Sequence, residues 1–358
     1  MSSYQTPSPN LLDIDHPDAD ILVRSADGVN YRTFRFLLSM ASPILKDMFG
    51  LPRQVDSEST NGVDEILDGL PVVQFAEDSA TLRHLLPLCY PVSYHGVRVI
   101  AKPNSLAEVN GVLKAARKYE MDGAFRIAVA WLLDPAFLTT EPLRVFTIAC
   151  FHRLSDEAST AARCTLVHPI LHETNIPEIS SINAGLLQSV LLYHRHCVQA
   201  AIAVVENLDS WMSPTTSNLI KCTKGENQIV IASSTFSDST SKTTRRVCVH
   251  HWLSQYMTSI KTALPNFCSG AAAKDVESLA RALVAVVKCP VCSTPSSDSE
   301  GMGRTFPKFV EVLATKIEQE ISKGMGRTFP KFVEVLATKI EQEISKSLVR
   351  AEEGNEWL

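Results

Sequence analysis

Residues 19–52 read ADILVRSADGVNYRTFRFLLSMASPILKDMFGLP, and the order of elements in this stretch decides the fold of the N-terminal part of the chain. Ile21 and Val23 alternate with Leu22 and Arg24, which suits a strand with one face buried. Ala26-Asp27-Gly28 supplies a turn, so the segment opens as a hairpin. Tyr31, Phe34, Leu37 and Leu38 then recur at helical spacing, and Ser42-Pro43 punctuates. Ile44, Leu45, Met48 and Phe49 form a second apolar stripe, which Leu51-Pro52 stops. The expected order is hairpin, helix, helix.

Working outward, residues 53–68 are polar and read as a loop, and residues 70–75 (LPVVQF) as a short strand. Leu82, Leu85, Leu86 and Cys89 share one face of the helix that follows. Residues 106–133 read as a pair of helices. The resulting domain spans about residues 17–133, an ordinary domain length, behind a Ser- and Pro-rich arm at residues 1–16 that reads as mobile.

This order of elements resembles a BTB (POZ) domain, and the wording DGVNY, LLSMASP and DMFGLP is most similar to the BTB proteins expanded in mushroom-forming fungi. The residues that carry the resemblance are Asp20, Ile21, Val23, Ser42, Pro43, Met48 and Phe49, then Asp78, Leu82, Leu86 and Tyr90, then Ala115, Ala116, Lys118, Tyr119 and Met121. Phe34 departs from it, standing where the family usually has a His. The resemblance implies an α/β (α+β) domain that pairs through its first helix and neighbouring elements, as a homodimer or with another BTB domain. Some family members are substrate adaptors of cullin-type ubiquitin ligases and others transcriptional regulators, so a cullin is an alternative partner. The adaptor version needs an acidic contact after the third helix, and the loop PVSYHGVRVIAKP (residues 91–103) carries no acid. Residues 34–38 and 44–49 offer more apolar surface than a small domain must bury, which nominates Phe34, Leu38, Met48 and Phe49 as an interaction surface.

Composition narrows the classes. The 358 residues are 45% apolar, enough to build cores for two domains. A formal charge of −5 gives no general attraction to nucleic acid or to an anionic membrane. The most apolar long stretch, residues 186–208, is interrupted by His194, Arg195, His196 and Glu206, which argues against a membrane span. The first twenty residues lack the basic and apolar regions of a secretory signal, so the chain is expected in the cytoplasm or nucleus, with its nine cysteines reduced.

The C-terminal region reads as mainly α-helical. Residues 134–208 are expected as a helical extension of the first domain, with Leu143, Phe146 and Cys150 on one stripe and Ser155 as a cap. Residues 209–300 carry further helices around a Ser/Thr-rich tract (233–246) that reads as a loop or insert. Residues 301–346 are two identical copies of GMGRTFPKFVEVLATKIEQEISK, each an amphipathic helix capped at Thr305 or Thr328, with Pro307 or Pro330 in its first turn. Gly324 and Gly326 are expected to break the helix between them, and residues 347–358 form a tail. Two copies are fewer than a solenoid requires.

Candidate chemistry is sparse. Cys289-Pro-Val-Cys292 can offer two thiolates to a structural zinc, with Cys248 and His250 as the completing pair and His251, Cys222, His194 or Cys197 as alternatives. The plain alternative is a set of small buried side chains in a reducing compartment. His168 and His172 have the spacing of one helix face but no adjoining Glu. No GxSxG elbow occurs, and nothing else in the sequence marks a nucleophile with its base, so no catalytic residue and no organic cofactor is nominated. A non-enzymatic interaction module, most simply a homodimerising scaffold, is the expected function.

Overall fold

The strand Ile21–Arg24 (β1) sits at the centre of a four-stranded sheet of order β2-β1-β4-β3, where β2 is Asn30–Thr33, β3 Ile66–Leu67 and β4 Leu70–Gln74. β1 pairs antiparallel with β2 and parallel with β4, and β3 closes the far edge antiparallel to β4. Leu22, expected on a solvent face, is buried along with Ile21 and Val23. An internal strand flanked on both sides reads as a continuous apolar run, and alternation is lost. The turn between β1 and β2 needs the left-handed backbone of Gly28 (φ +83°). Tyr31, expected on the first helix, instead pairs with Val23 in β2 and donates its hydroxyl to the Ser79 carbonyl.

The computed structural model, a mixed α/β structure, describes residues 16–51, 66–90, 101–170, 176–213, 215–216, 228–238, 241–288 and 302–352. It divides into two compact units, Met1–His152 and Arg153–Leu358. In the first, β2 leads to Arg35–Ala41 (α1) and Pro43–Gly50 (α2), and β4 leads to Ser79–Leu88 (α3), capped by Asp78, whose carboxylate accepts from the Thr81 N–H. Leu106–Lys118 (α4) and Asp122–Leu132 (α5) follow. Leu82, Leu85, Leu86, Leu106, Val112 and Leu113 are wholly buried, each such side chain contributing roughly 1.5–3 kcal/mol. Gly111 lets α4 lie close to α3, since a Cβ there would meet the Thr81 hydroxyl at 2.5 Å. Pro135–Thr140 (α6) and Pro142–Phe151 (α7) also belong to this unit, so the compact division falls inside the segment expected as one extension.

The second unit contains Ser155–Cys164 (α8), Ala184–Glu206 (α9), His251–Ala263 (α10), Val276–Lys288 (α11) and Met302–Glu352 (α12). Ser155 is the first residue of α8, not its cap; Leu154 takes the cap position without a side-chain bond. The Ser/Thr-rich tract, expected as a loop or insert, falls largely within two antiparallel strands, Gln228–Asp238 (β5) and Ser241–His250 (β6), with an irregularity between Val230 and Ala232. Its Ile, Val and Thr residues are β-branched, and that preference outweighs the low complexity. The two C-terminal copies form one continuous helix, contrary to the expected break, and Thr305 and Pro307 lie inside it. Two interior glycines cost about 1 kcal/mol each, and burial of Phe332 and Leu336 beyond them offsets that. Among the described residues no helix is long and apolar enough to cross a membrane.

His152 closes the first unit, 1% exposed, with Nε2 donating to Asn110 Oδ1 at 2.8 Å. Burial first, and then the charges of Arg117 and Lys114, depress its pKa from 6.5 to about 3. The folded imidazole is therefore neutral, while the unfolded one takes up a proton below pH 6.5. Stability from this group is intact above pH 6.5 and declines as pH falls toward 3, by on the order of 2 kcal/mol at pH 5. Urea denaturation at pH 7 and pH 5 should show His152→Gln losing less stability across that interval than the wild type by about this amount.

Candidate interaction surface

The corner between α1 and α2 is built from Ser42 and Pro43. Proline at the first position of α2 cannot continue α1, and Ser42 before it is held extended (φ −141°, ψ 117°). The Ser42 hydroxyl accepts from the Leu45 N–H at 3.0 Å and donates to the Tyr119 carbonyl at the end of α4. Tyr119 is itself fixed, its hydroxyl donating to Glu77 at 2.7 Å, while Lys118 pairs with the same carboxylate at 2.9 Å. These bonds set the orientation of both helices. Leu38 and Leu45 point into the core, and the opposite side carries apolar residues to solvent.

That outward side gathers several of the exposed large apolar residues among the described residues of the first unit. Phe36 is 68% and Met40 71% exposed, one turn apart on α1; Ile44 and Met48 repeat the spacing on α2 at 40% and 39%. Leu51 follows at the end of α2, also exposed. Arg35 is drawn away from this side, its guanidinium 5.5 Å from the Phe49 ring centre and its backbone N–H donating to Asp20. The outward positions of α1 are thereby left without a carboxylate or a free-standing cation.

The four residues nominated from sequence separate in the structure. Met48 lies on the outward side. Phe34 is half-buried, its ring 5.2 Å from His16 and 6.5 Å from Tyr90, and Phe49 is half-buried beneath Arg35. Leu38 is wholly buried and belongs to the core. The cause is the starting point of α1: with Tyr31 in β2 the helix begins at Arg35, so its inner stripe passes through Leu38 and its outer one through Phe36 and Met40. The signal for the missed pair was their own i, i+4 spacing, two residues out of step with Leu38.

Among the described residues the candidate metal and redox groups are not gathered into one cluster. Cys289, Cys292, Cys222 and His172 lie outside the described residues, and Cys248 and His250 are in β6, of which only the backbone is described. His194 and Cys197 are buried one turn apart in α9. Among the described residues no group of three or more His, Cys, Asp or Glu side chains is gathered for a metal. Burial pushes the thiols of Cys89 and Cys268 up to about 12 and that of Cys197 to about 11, and Cys150 higher still. Protonated thiols of this kind are poor nucleophiles and poor ligands at neutral pH. A groove of about 660 Å³ between α9 and α12 is edged by Trp211 and Lys316, Glu320 and Lys323, but both lysines are paired with Glu320, at 3.1 and 2.7 Å.

No protein-family model matches this chain, and no curated protein is significantly similar to it.

Because Ser42 is wholly buried, Ser42→Ala leaves the Leu45 N–H uncapped and the Tyr119 carbonyl without its donor. Urea denaturation should show a loss of about 2 kcal/mol, and proteolysis of the native protein should begin near the α1–α2 corner.

Proposed function

We propose that the first unit is a BTB-like domain that acts as a non-enzymatic interaction module, and that it pairs with a second copy of itself through the outward side of α1 and α2. The observation that carries this reading is the exposure of Phe36, Met40, Ile44 and Met48 on one rigid corner. Isolated exposed apolar residues are ordinary, but two i, i+4 pairs on adjoining helices form a patch of the kind that marks protein interfaces. The patch lacks charge at its outward α1 positions, and charge depletion is the compositional mark of an interface centre. An apolar side of this kind can meet its own copy, which a twofold pairing requires. The sequence resemblance supports the same region, since BTB domains pair through the first helix.

Sedimentation equilibrium of the full chain from micromolar to sub-millimolar concentration tests the reading. The wild type should associate as a dimer. Phe36→Ser/Met40→Ser should weaken that association about 30-fold or more, the effect of losing a 2 kcal/mol anchor, with an unchanged circular dichroism spectrum and melting temperature. A wild type that stays monomeric throughout, or a double variant that dimerises as tightly as the wild type, overturns it.

A further inference from the structure

The segment GMGRTFPKFVEVLATKIEQEISK occurs at residues 301–323 and again, unchanged, at 324–346. The first copy occupies a seat built by other elements of the second unit. Phe306 packs edge-on against Trp252 and Tyr256 of α10, at 5.0 and 5.1 Å. Glu318 accepts from the Gly270 N–H, and Glu311 pairs with Lys274 at 2.6 Å. A Cβ on Gly270 would collide with the Ala314 carbonyl oxygen, so the seat also demands close backbone approach. Phe309, Leu313 and Ile317 are wholly buried along the same stripe. The seat thus selects a helix by aromatic, small and acidic residues at fixed spacings.

The second copy presents every one of those ligand residues at the same spacing: Phe329, Phe332, Glu334, Leu336, Ala337, Ile340 and Glu341. On one continuous helix its stripe is turned by roughly 140° from the first, because 23 residues at about 100° each do not close a whole number of turns. Both stripes cannot face one groove. In the structure Phe332 stacks on Tyr193 of α9 with ring centres 5.1 Å apart and Leu336 is buried, while Val335 is 43% exposed. One chain therefore carries two helical segments of identical sequence, of which the first fills the seat.

We propose that this seat binds either copy, so that α12 has two registers offset by 23 residues, and that the second register uncovers the Tyr193 side of α9. The residue 23 positions beyond Phe332 is Asn355, which cannot replace a ring stacked on Tyr193, and the first register is favoured for that reason. Access to the second costs little in chain connection, since lengthening the link after Lys288 by 23 residues raises the loop-closure cost only logarithmically. Gly324 and Gly326 at the junction let the helix part between copies.

Leu313→Asp places a carboxylate in the filled seat, while the second copy remains intact to replace the first. The variant should keep its unit 2 thermal transition with a shift of a few degrees, Leu336→Asp likewise, and the double variant should lose the transition altogether. A second measurement separates replacement from simple tolerance. Lys274→Cys with Glu311→Cys should form a disulfide under glutathione in the wild-type background, and Lys274→Cys with Glu334→Cys should do so within one chain in the Leu313→Asp background, mapped by mass spectrometry. Leu313→Asp losing as much as the double variant overturns the proposal. So does retention without the 274–334 crosslink, or a crosslink found only between chains.

Discussion

The parallel pairing of β1 with β4 is the constraint on which the first unit depends. Leu22, Val23 and Arg24 face Val72, Val73 and Gln74 in register, and parallel neighbours cannot be joined by a hairpin. The chain must leave the sheet and return, and α1 and α2 lie within that excursion. Ser42 then joins the corner of the excursion to Tyr119, and Glu77 holds Tyr119, so the last turn of α4 and the residues leading into α3 brace the same corner. A helix pair fixed in this way has one face committed to the core by Leu38 and Leu45. Its other face is presented in a constant orientation, which would lower the entropy lost in the proposed pairing.

The second unit is organised by a different principle, the length of α12. A 51-residue helix cannot be stabilised by backbone bonds alone against two interior glycines and two prolines, and its hold comes from successive packing stations. Phe306 against Trp252 and Tyr256, Ala314 against Gly270, and Phe332 against Tyr193 mark these stations along the helix. The surface ion pairs, such as Lys274 with Glu311 and Lys261 with Glu206, contribute less, because exposed pairs are screened and lose side-chain freedom. Tertiary burial, not intrinsic helix preference, decides where this unit is ordered.

The sequence carried the first unit well, because its signals are local. Gly28 forces the β1–β2 turn, Pro43 ends α1, Asp78 caps α3, and the Leu82, Leu85 and Leu86 face is wholly buried as its spacing implies. It failed where neighbours decide. The β1–β4 pairing buried Leu22, and strand pairing with Val23 took Tyr31 from the helix, which shifted the inner stripe and hid Phe36 and Met40 from the reading. In the second unit, Thr and Ser in residues 233–246 look like an unstructured tract by composition, yet residues 233–238 and 241–246 pair as strands. Gly324 and Gly326 look like a break, but the burial of Phe332 that holds the helix through them comes from α9, more than a hundred residues away in sequence.

The central claim is that the α1–α2 face is where two copies meet, and methionine methyl resonances report on it directly. Met40 and Met48 lie on the exposed face, whereas Met121 and Met257 are buried, at 1% and 6% exposure, one in each unit. In ¹³C-methyl-labelled full-length protein, raising the concentration should shift or broaden the Met40 and Met48 signals while Met121 and Met257 stay in place. Met40 and Met48 signals that do not change with concentration would contradict the account, as would association accompanied by changes only at other methionines.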